Sequence, residues 1–299
     1  MLVVGCEPGG EVARERPLVV TTVTMVTDLV KQIAGERVEV EGLMGVGVDP
    51  HTFKPKLQDA GLLEEADAVF YSGLHLEGKM QESMERLAER KAEVYAVTDG
   101  IPEAKLLEPQ EAFEGYHDPH VWGDPELWVH TIGEVVRGLT VIDPAGKEIY
   151  EERGREYAAE LMELKKWALT RVAEVPADQR LLVTSHDAFF YFGKGFGFEV
   201  RGLQGVSTVS EAGLRDRKNL VDFIKARGIR TIFPESSVNP KAIEAVAKDA
   251  GVTASEHELF SDAMGVPGDL VKLHGEEYDK GTYVGMVKHN VNSIVDGLK

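Results

Sequence analysis

Apolar positions along the chain fall into two alternating patterns. Leu18–Thr22 is a continuous apolar run of strand length, and after it Met25, Val26, Leu29 and Ile33 recur at helical spacing until Gly35. Val38–Leu43 reads as a second strand, Leu57–Ala66 as a short helix and Ala68–Tyr71 as a third strand. Lys79–Arg90 has the spacing of an amphipathic helix, and Glu93–Val97 that of a strand. A long loop, Asp99 to Gly123, leads to Asp124-Pro125, a cap followed by a proline that opens another helix.

One stretch interrupts the alternation. From Pro144 to Glu174, apolar residues recur at Tyr150, Tyr157, Leu161, Leu164, Ala168 and Val172, with Asp143 as the expected N-cap and Pro176 as the stop. Roughly 30 residues at about 1.5 Å each make a rod of about 45 Å. Its apolar repeat drifts too much for a coiled coil, so it reads as a strut. Beyond it the alternation resumes. Leu181–Ser185, Phe198–Leu203, Ile229–Phe233 and Val252–Glu256 read as strands. Ala188–Lys194, Glu211–Arg227, Pro240–Ala250 and Tyr283–Leu298 read as helices.

Strands that alternate with helices predict parallel sheets covered on both faces. The pattern occurs once on each side of the strut. The expected fold is therefore α/β: two lobes, each a parallel sheet flanked by helices, joined by a single long helix. The expected divisions are 1–16, a tether; 17–143, the first lobe; 144–175, the linking helix; and 176–299, the second lobe. Ligands of such sheets bind beyond the carboxyl ends of the strands.

The net charge of −18 argues against nucleic acid as a partner. A lone cysteine, Cys6, excludes an internal disulfide framework and a cysteine-rich zinc site. Leu2-Val3-Val4-Gly5-Cys6 resembles the end of a bacterial lipoprotein signal, which would make Cys6 a lipid-attachment residue. The alternative is an ordinary start before a run of small residues. Glu7 to Arg16 reads as a flexible tether, and no later segment is apolar for long enough to span a membrane.

Four residues in loops after strands carry candidate chemistry: His51, His120, His186 and Asp262, two in each lobe. Imidazole and carboxylate together suit zinc, manganese or iron. Taken singly, each has a plainer reading as a surface or hydrogen-bonding residue, and their wide separation matches no local zinc signature.

The stretches around them are more specific. Asp49-Pro50-His51-Thr52-Phe53, Asp118-Pro119-His120-Val121-Trp122, Thr184-Ser185-His186-Asp187-Ala188-Phe189 and Phe260-Ser261-Asp262-Ala263-Met264-Gly265 resemble, in order, the four ligand motifs of the TroA-like (cluster A-I) metal-binding solute-binding proteins of zinc and manganese ABC importers. Ser72–Glu77, Leu203–Thr208, Pro234–Ser237 and Gly281–Tyr283 agree, so the resemblance runs from Pro17 to Lys299. It implies His51 and His120 as ligands from the first lobe, and His186 and Asp262 from the second. It further implies one divalent metal ion in the cleft, an ABC transporter permease as partner and a monomer outside the cytoplasm. That places it in the bacterial periplasm or on the outer face of the cell membrane, which it touches only through a lipid anchor. His117 matches no ligand position; His75 lies in an agreeing stretch but reads as structural; and His130, His257, His274 and His289 read as surface or packing residues.

Three imidazoles favour a borderline-soft ion, so zinc comes first and manganese second. The loop before His120 departs from the zinc-specialist pattern: it has many acids but only His117 and His120 as histidines. A zinc hydrolase is the weakest alternative, because four protein ligands leave no position for water and no His-Glu-x-x-His helix is present. A metal-binding surface adhesin is the other. The expectation is capture without chemistry, with the strut limiting lobe motion to small tilts.

Overall fold

The computed structural model describes residues 14–91, 93–108 and 113–299. In the first lobe, β1 (Leu18–Thr21), β2 (Glu39–Gly42), β3 (Ala68–Tyr71) and β4 (Val94–Ala96) form a parallel sheet in the order β2-β1-β3-β4. Val19 stands opposite Val40 on one side and Ala68 on the other. The central strands β1 and β3 are buried throughout, which is why they read as unbroken apolar runs, whereas the edge strand β2 alternates with glutamates. Helices α1 (Thr24–Ala34), α2 (Leu57–Glu65) and α3 (Gln81–Arg90) make the crossovers.

Two short helices, α4 (Pro125–Trp128) and α5 (Ile132–Ile142), lead to the strut α6 (Lys147–Val172). Asp124 caps α4 as expected, accepting the Glu126 N–H at 3.0 Å. Asp143 does not cap the strut. Its carboxylate takes Arg37 at 2.7 and 3.0 Å and the Tyr150 hydroxyl at 2.5 Å, and a 3₁₀ turn, Pro144–Gly146, opens the helix instead. The strut is 26 residues long, about 39 Å at about 1.5 Å per residue. Gly154 lies on its buried face, where a Cβ would come 3.1 Å from the methyls of Ile132 and Val136. The glycine thus lets α5 pack close, at the cost of some helix propensity.

The second lobe holds β5 (Leu181–His186), α7 (Phe190–Phe196), β6 (Glu199–Gln204), α8 (Leu214–Arg227), β7 (Thr231–Ile232), α9 (Lys241–Ala250) and β8 (Thr253–Ala254). β5 pairs with β6 and β7 with β8, and the Phe233 N–H joins the two pairs by donating to the Val183 carbonyl at 2.8 Å. The order is β6-β5-β7-β8, the same as in the first lobe. α8 starts at Leu214 rather than Glu211, because the Gly213 N–H is held by Asp216 at 3.0 Å. A hairpin that periodicity did not predict, β9 (Leu270–Leu273) and β10 (Glu276–Asp279), precedes the last helix, α10 (Tyr283–Leu298). Its turn is His274-Gly275, both at positive φ, as a two-residue hairpin loop requires.

One apolar core runs without a break from the first sheet through Tyr157, Leu161 and Leu164 of the strut to Phe192 and Val291 of the second lobe. A separate cluster, including Val183, Ile224, Ile232 and Val246, fills the space beneath α8 and α9. The strut touches α1, α4 and α5 on one side and α7 and α10 on the other. No helix among the described residues is long and apolar enough to cross a membrane.

Candidate metal centre

Asp49-Pro50-His51 and Asp118-Pro119-His120 use one local device. In each, the aspartate Oδ1 accepts the backbone N–H of the histidine two residues on, at 2.9 Å. The intervening proline fixes its own φ, so a tight turn points the imidazole inward. Asp118 also accepts the Nδ1–H of His120 at 2.7 Å. Asp49 spends its second oxygen on Thr52 at 3.0 Å and, across the cleft, on Thr208 at 2.6 Å. Behind His51, Gly78 is at positive φ, and a Cβ there would lie 2.7 Å from the His51 carbonyl oxygen.

His186 is the last residue of β5. Glu235, just after β7, accepts its backbone N–H at 2.8 Å and its Nδ1–H at 2.5 Å. Asp262 follows β8 and accepts the Ser237 hydroxyl at 3.3 Å. Carboxylates on Nδ1 of His120 and His186 leave each Nε2 as the free donor atom.

The four expected residues come together. His51 Nε2 lies 3.3 Å from His120 Nε2. Asp262 Oδ1 lies 3.3 Å from His120 Nε2, and Asp262 Oδ2 lies 3.4 Å from His186 Nε2. One donor atom from each lies within 4.8 Å of all the others, and all four residues are buried. His186 Nε2 and Asp262 Oδ1 are buried without a hydrogen-bond partner. Orphaned polar atoms of this kind carry a desolvation penalty that a shared cation removes. Three nitrogens and a carboxylate fit a first-row divalent ion.

Electrostatics separates the three imidazoles. Burial pushes His51 down to about 3; Asp262 opposes this, and the two neighbouring histidines reinforce it. Burial also acts against a charged His120, but the charge and hydrogen bond of Asp118, with the charge of Asp262, outweigh it and lift its pKa to about 9. His186 behaves alike: Glu235 and Asp262 overcome burial and hold it well above the usual histidine range. Asp262 sits well below the carboxylate range, because His186 and His120 overcome its burial.

The other histidines lie outside the cluster. His117 Nδ1 is 2.5 Å from the Leu107 carbonyl, and His75 lies against Tyr116. His274 contacts Arg171 and Asp296 at 2.9 Å, and His289 meets the Glu258 carbonyl at 2.9 Å. Cys6 lies outside the described residues. The roles of Asp118 and Glu235 escaped the sequence reading, although both stand inside quoted motifs. The repeated Asp-Pro-His carries a signal for the first; nothing local marks the second.

The ligand loops are also tied across the lobes. Trp122 Nε1–H donates to the Ser261 carbonyl at 2.8 Å, and the Tyr283 hydroxyl donates to the Trp122 carbonyl at 2.7 Å. Lys165 of the strut donates to Asp124 at 2.8 Å and to the Gly195 carbonyl at 2.9 Å, one partner in each lobe.

Residues 19–297 match the family model described as ZnuA, zinc-uptake complex component A, periplasmic. The chain is 40% identical to the manganese-binding lipoprotein MntA of Bacillus subtilis (strain 168), covering 99% of this chain and 94% of that protein. It superposes on the periplasmic zinc-binding protein TroA from Treponema pallidum with a TM-score of 0.88 and 42% identity, over 95% of this chain and 99% of that one. The laminin-binding protein Lmb of Streptococcus agalactiae, described as a bifunctional adhesin and metal transporter, matches with a TM-score of 0.80 and 25% identity, over 95% of this chain and 100% of that one.

Proposed function

The chain belongs to the zinc-uptake complex component A family, and from that premise we propose that it captures one zinc or manganese ion outside the cytoplasm and delivers it to the permease of an ABC importer. The observation that carries this reading is the convergence of His51, His120, His186 and Asp262 from two lobes on one buried point. We read these four as the ligands. The ion is cargo, and the protein's own contribution is to converge three imidazole Nε2 atoms and one carboxylate on a buried point. Asp118 and Glu235 orient the imidazoles; Ser237 steadies Asp262.

We take the functional units to be the expected divisions, lobes at 17–143 and 176–299 with the linking helix at 144–175 between them; most of the expected tether at 1–16 lies outside the described residues. Cys6 is read as the lipid-attachment residue, in keeping with the lipoprotein names of relatives such as MntA, and the working unit as a monomer. Relatives such as the PsaA lipoprotein of Streptococcus mitis are named as substrate-binding components of ABC transporters. A full set of four ligands with no place for an activated water supports binding without catalysis here as well.

Metal binding joins the lobes through ligands on both, yet the core that runs through the strut resists a wide hinge. Capture therefore involves small shifts of the ligand loops. A metal-binding adhesin is the second reading, prompted by the Streptococcus agalactiae relative. The buried cluster accounts for metal capture and not for adhesion, and Trp122 and Trp128 are buried rather than arrayed on the surface.

The test is elemental analysis of the purified protein, followed by competitive titration of the metal-free form with zinc and manganese. One ion per chain, bound tightly, is expected. A stoichiometry well above one, or weak binding of both ions, refutes the reading.

A further inference from the structure

Helix α1 belongs to the first lobe, yet two of its side chains bond backbone groups of the second. Thr24 Oγ1 accepts the N–H of Met264 at 2.9 Å, and Asp28 Oδ2 accepts the N–H of Tyr283 at 3.1 Å. The two residues are four apart, so they stand one turn from each other on a single helix face. Met264 is two residues beyond Asp262, and Tyr283 is the first residue of α10.

These two N–H groups mark the ends of one excursion of the chain. Between them it runs out to the β9–β10 hairpin and returns, and the Gly265 N–H closes the base by donating to the Lys280 carbonyl at 2.9 Å. A Cβ on Gly265 would lie 2.7 Å from the Lys280 Cβ, and one on Gly281 2.2 Å from the Pro267 Cα, so the two arms of the base touch. α1 therefore grips a closed unit at both ends. The chemistry of each grip is complete. The Thr24 hydroxyl gives its proton to the Met25 sulfur at 3.3 Å and keeps lone pairs for Met264. Asp28 is buried at the positive end of a 16-residue helix, and Gln32 donates to its other oxygen at 3.2 Å.

The other flank of Asp262 is held from the first lobe as well, because Trp122 donates to the Ser261 carbonyl at 2.8 Å. The hydrogen bond that the Asp262 carboxylate takes within its own lobe is the long one from Ser237, 3.3 Å.

We propose that Thr24 and Asp28 are positioning residues for metal capture, a two-point clamp by which the first lobe sets the place of a carboxylate that the second lobe carries. The proposal rests on the reading of Asp262 as a ligand. Without the Thr24 bond, the hydrogen-bonded hold of the first lobe on residues 259–265 falls, among the described residues, to Trp122 alone. The carboxylate must then be ordered against His51 and His120 at the expense of binding.

The experiment is competitive zinc titration of the full chain against a chromophoric chelator, with the melting temperature of the metal-free protein measured alongside. Thr24→Val keeps the shape of the side chain and removes the acceptor, so zinc affinity should fall about three- to tenfold. Thr24→Ser restores a hydroxyl and should recover most of the loss. Thr24→Ala removes the acceptor without placing a methyl against Met264, and carries the test if the valine variant does not fold. Asp28→Leu should cost a similar factor, and Asp28→Asn, which keeps one accepting oxygen, less. Thr27→Val is the control. Thr27 is partly buried on the same helix, but it bonds Thr21 Oγ1 at 2.7 Å and the Val23 carbonyl at 3.0 Å, both inside the first lobe. Its loss should lower the melting temperature and leave zinc affinity unchanged.

Affinity lost without the Thr24 hydroxyl and regained with serine supports the clamp. Unchanged affinity in the Thr24 variants, or an equal loss in Thr27→Val, overturns it, and the contact then serves the fold alone. Failure of the ligand reading would show separately: Asp262→Ala would bind zinc as tightly as the unaltered protein, and a clamp with no ligand to place falls with it.

Discussion

Trp122 Nε1 donates to the carbonyl of Ser261 across 2.8 Å, so the loop that carries His120 is bonded directly to the loop that carries Asp262. Both groups are buried, and the bond crosses from one lobe to the other. Asp262 Oδ1 in turn faces His120 Nε2 at 3.3 Å. The position of a proposed ligand in each lobe is thereby referred to the other lobe, which lowers the ordering cost of capture.

Trp122→Phe keeps an aromatic ring but removes the donor and strands the Ser261 carbonyl. Zinc affinity should fall by about three- to tenfold, the worth of one net hydrogen bond. Competitive titration against a chromophoric chelator measures it. A lower melting temperature with unchanged affinity would show that the bond serves the fold alone.

His186→Ala removes a donor atom and leaves Glu235 and Asp262 facing each other's charge across a buried site. Binding should weaken by more than about a hundredfold, the upper end of the cost of losing a supporting residue. His274→Ala, which only disturbs the contacts with Arg171 and Asp296, should bind zinc normally. Equal losses in the two variants would refute the ligand assignment.

Glu235→Gln tests orientation rather than ligation. The glutamate accepts two N–H groups of His186, one with each oxygen, and glutamine has only one accepting oxygen. Affinity should fall by about ten- to a hundredfold with stoichiometry still one. Elemental analysis beside the titration distinguishes this from loss of the site.

The strut and both sheets were legible because burial imposes a period: Tyr150, Tyr157, Leu161 and Leu164 face the core, and β1 and β3 are apolar throughout. Asp143 was misread because its carboxylate found a better partner in Arg37, a residue 106 positions away. The hairpin β9–β10 was missed because its strands are only partly buried and carry no clean alternation. The candidate cluster lay beyond any periodicity. It was joined only by motif resemblance, since His51 and His120 are 69 residues apart. Glu235 reaches His186 from 49 residues away, and no local pattern encodes such a meeting.

Lys165→Met tests the strut as the common support of the two lobes. Lys165 and Asp124 are largely buried, and the lysine also holds the Gly195 carbonyl and lies over the Phe196 ring. Methionine keeps the packing but leaves Asp124 uncompensated, so urea unfolding should show a loss of about 3 kcal/mol. Lys165→Met with Asp124→Asn should recover part of it, since asparagine still caps α4 and carries no charge. A double variant as unstable as the single one would contradict this account.

Proton competition should be steep and should extend above neutrality. With its pKa near 9, His120 is protonated in the metal-free protein at neutral pH, and His186, held higher than usual by Glu235 and Asp262, is protonated as well. His51, pushed down to about 3, and Asp262, held well below the carboxylate range, bring no proton. A metal ion must therefore displace two protons, and its association constant should fall about a hundredfold for each unit of acidification between about pH 5 and 8. Histidines of ordinary pKa, about 6.5, would give a flat profile above about pH 7.5. Calorimetry in buffers of different ionisation enthalpy should count close to two protons released per zinc at pH 7.5; a count near zero would refute the assignment. Two protons leaving as a divalent ion enters keep the net charge constant among Asp118, Glu235 and Asp262. A monovalent or trivalent ion would leave that buried cluster with a changed charge, which a low-dielectric site penalises.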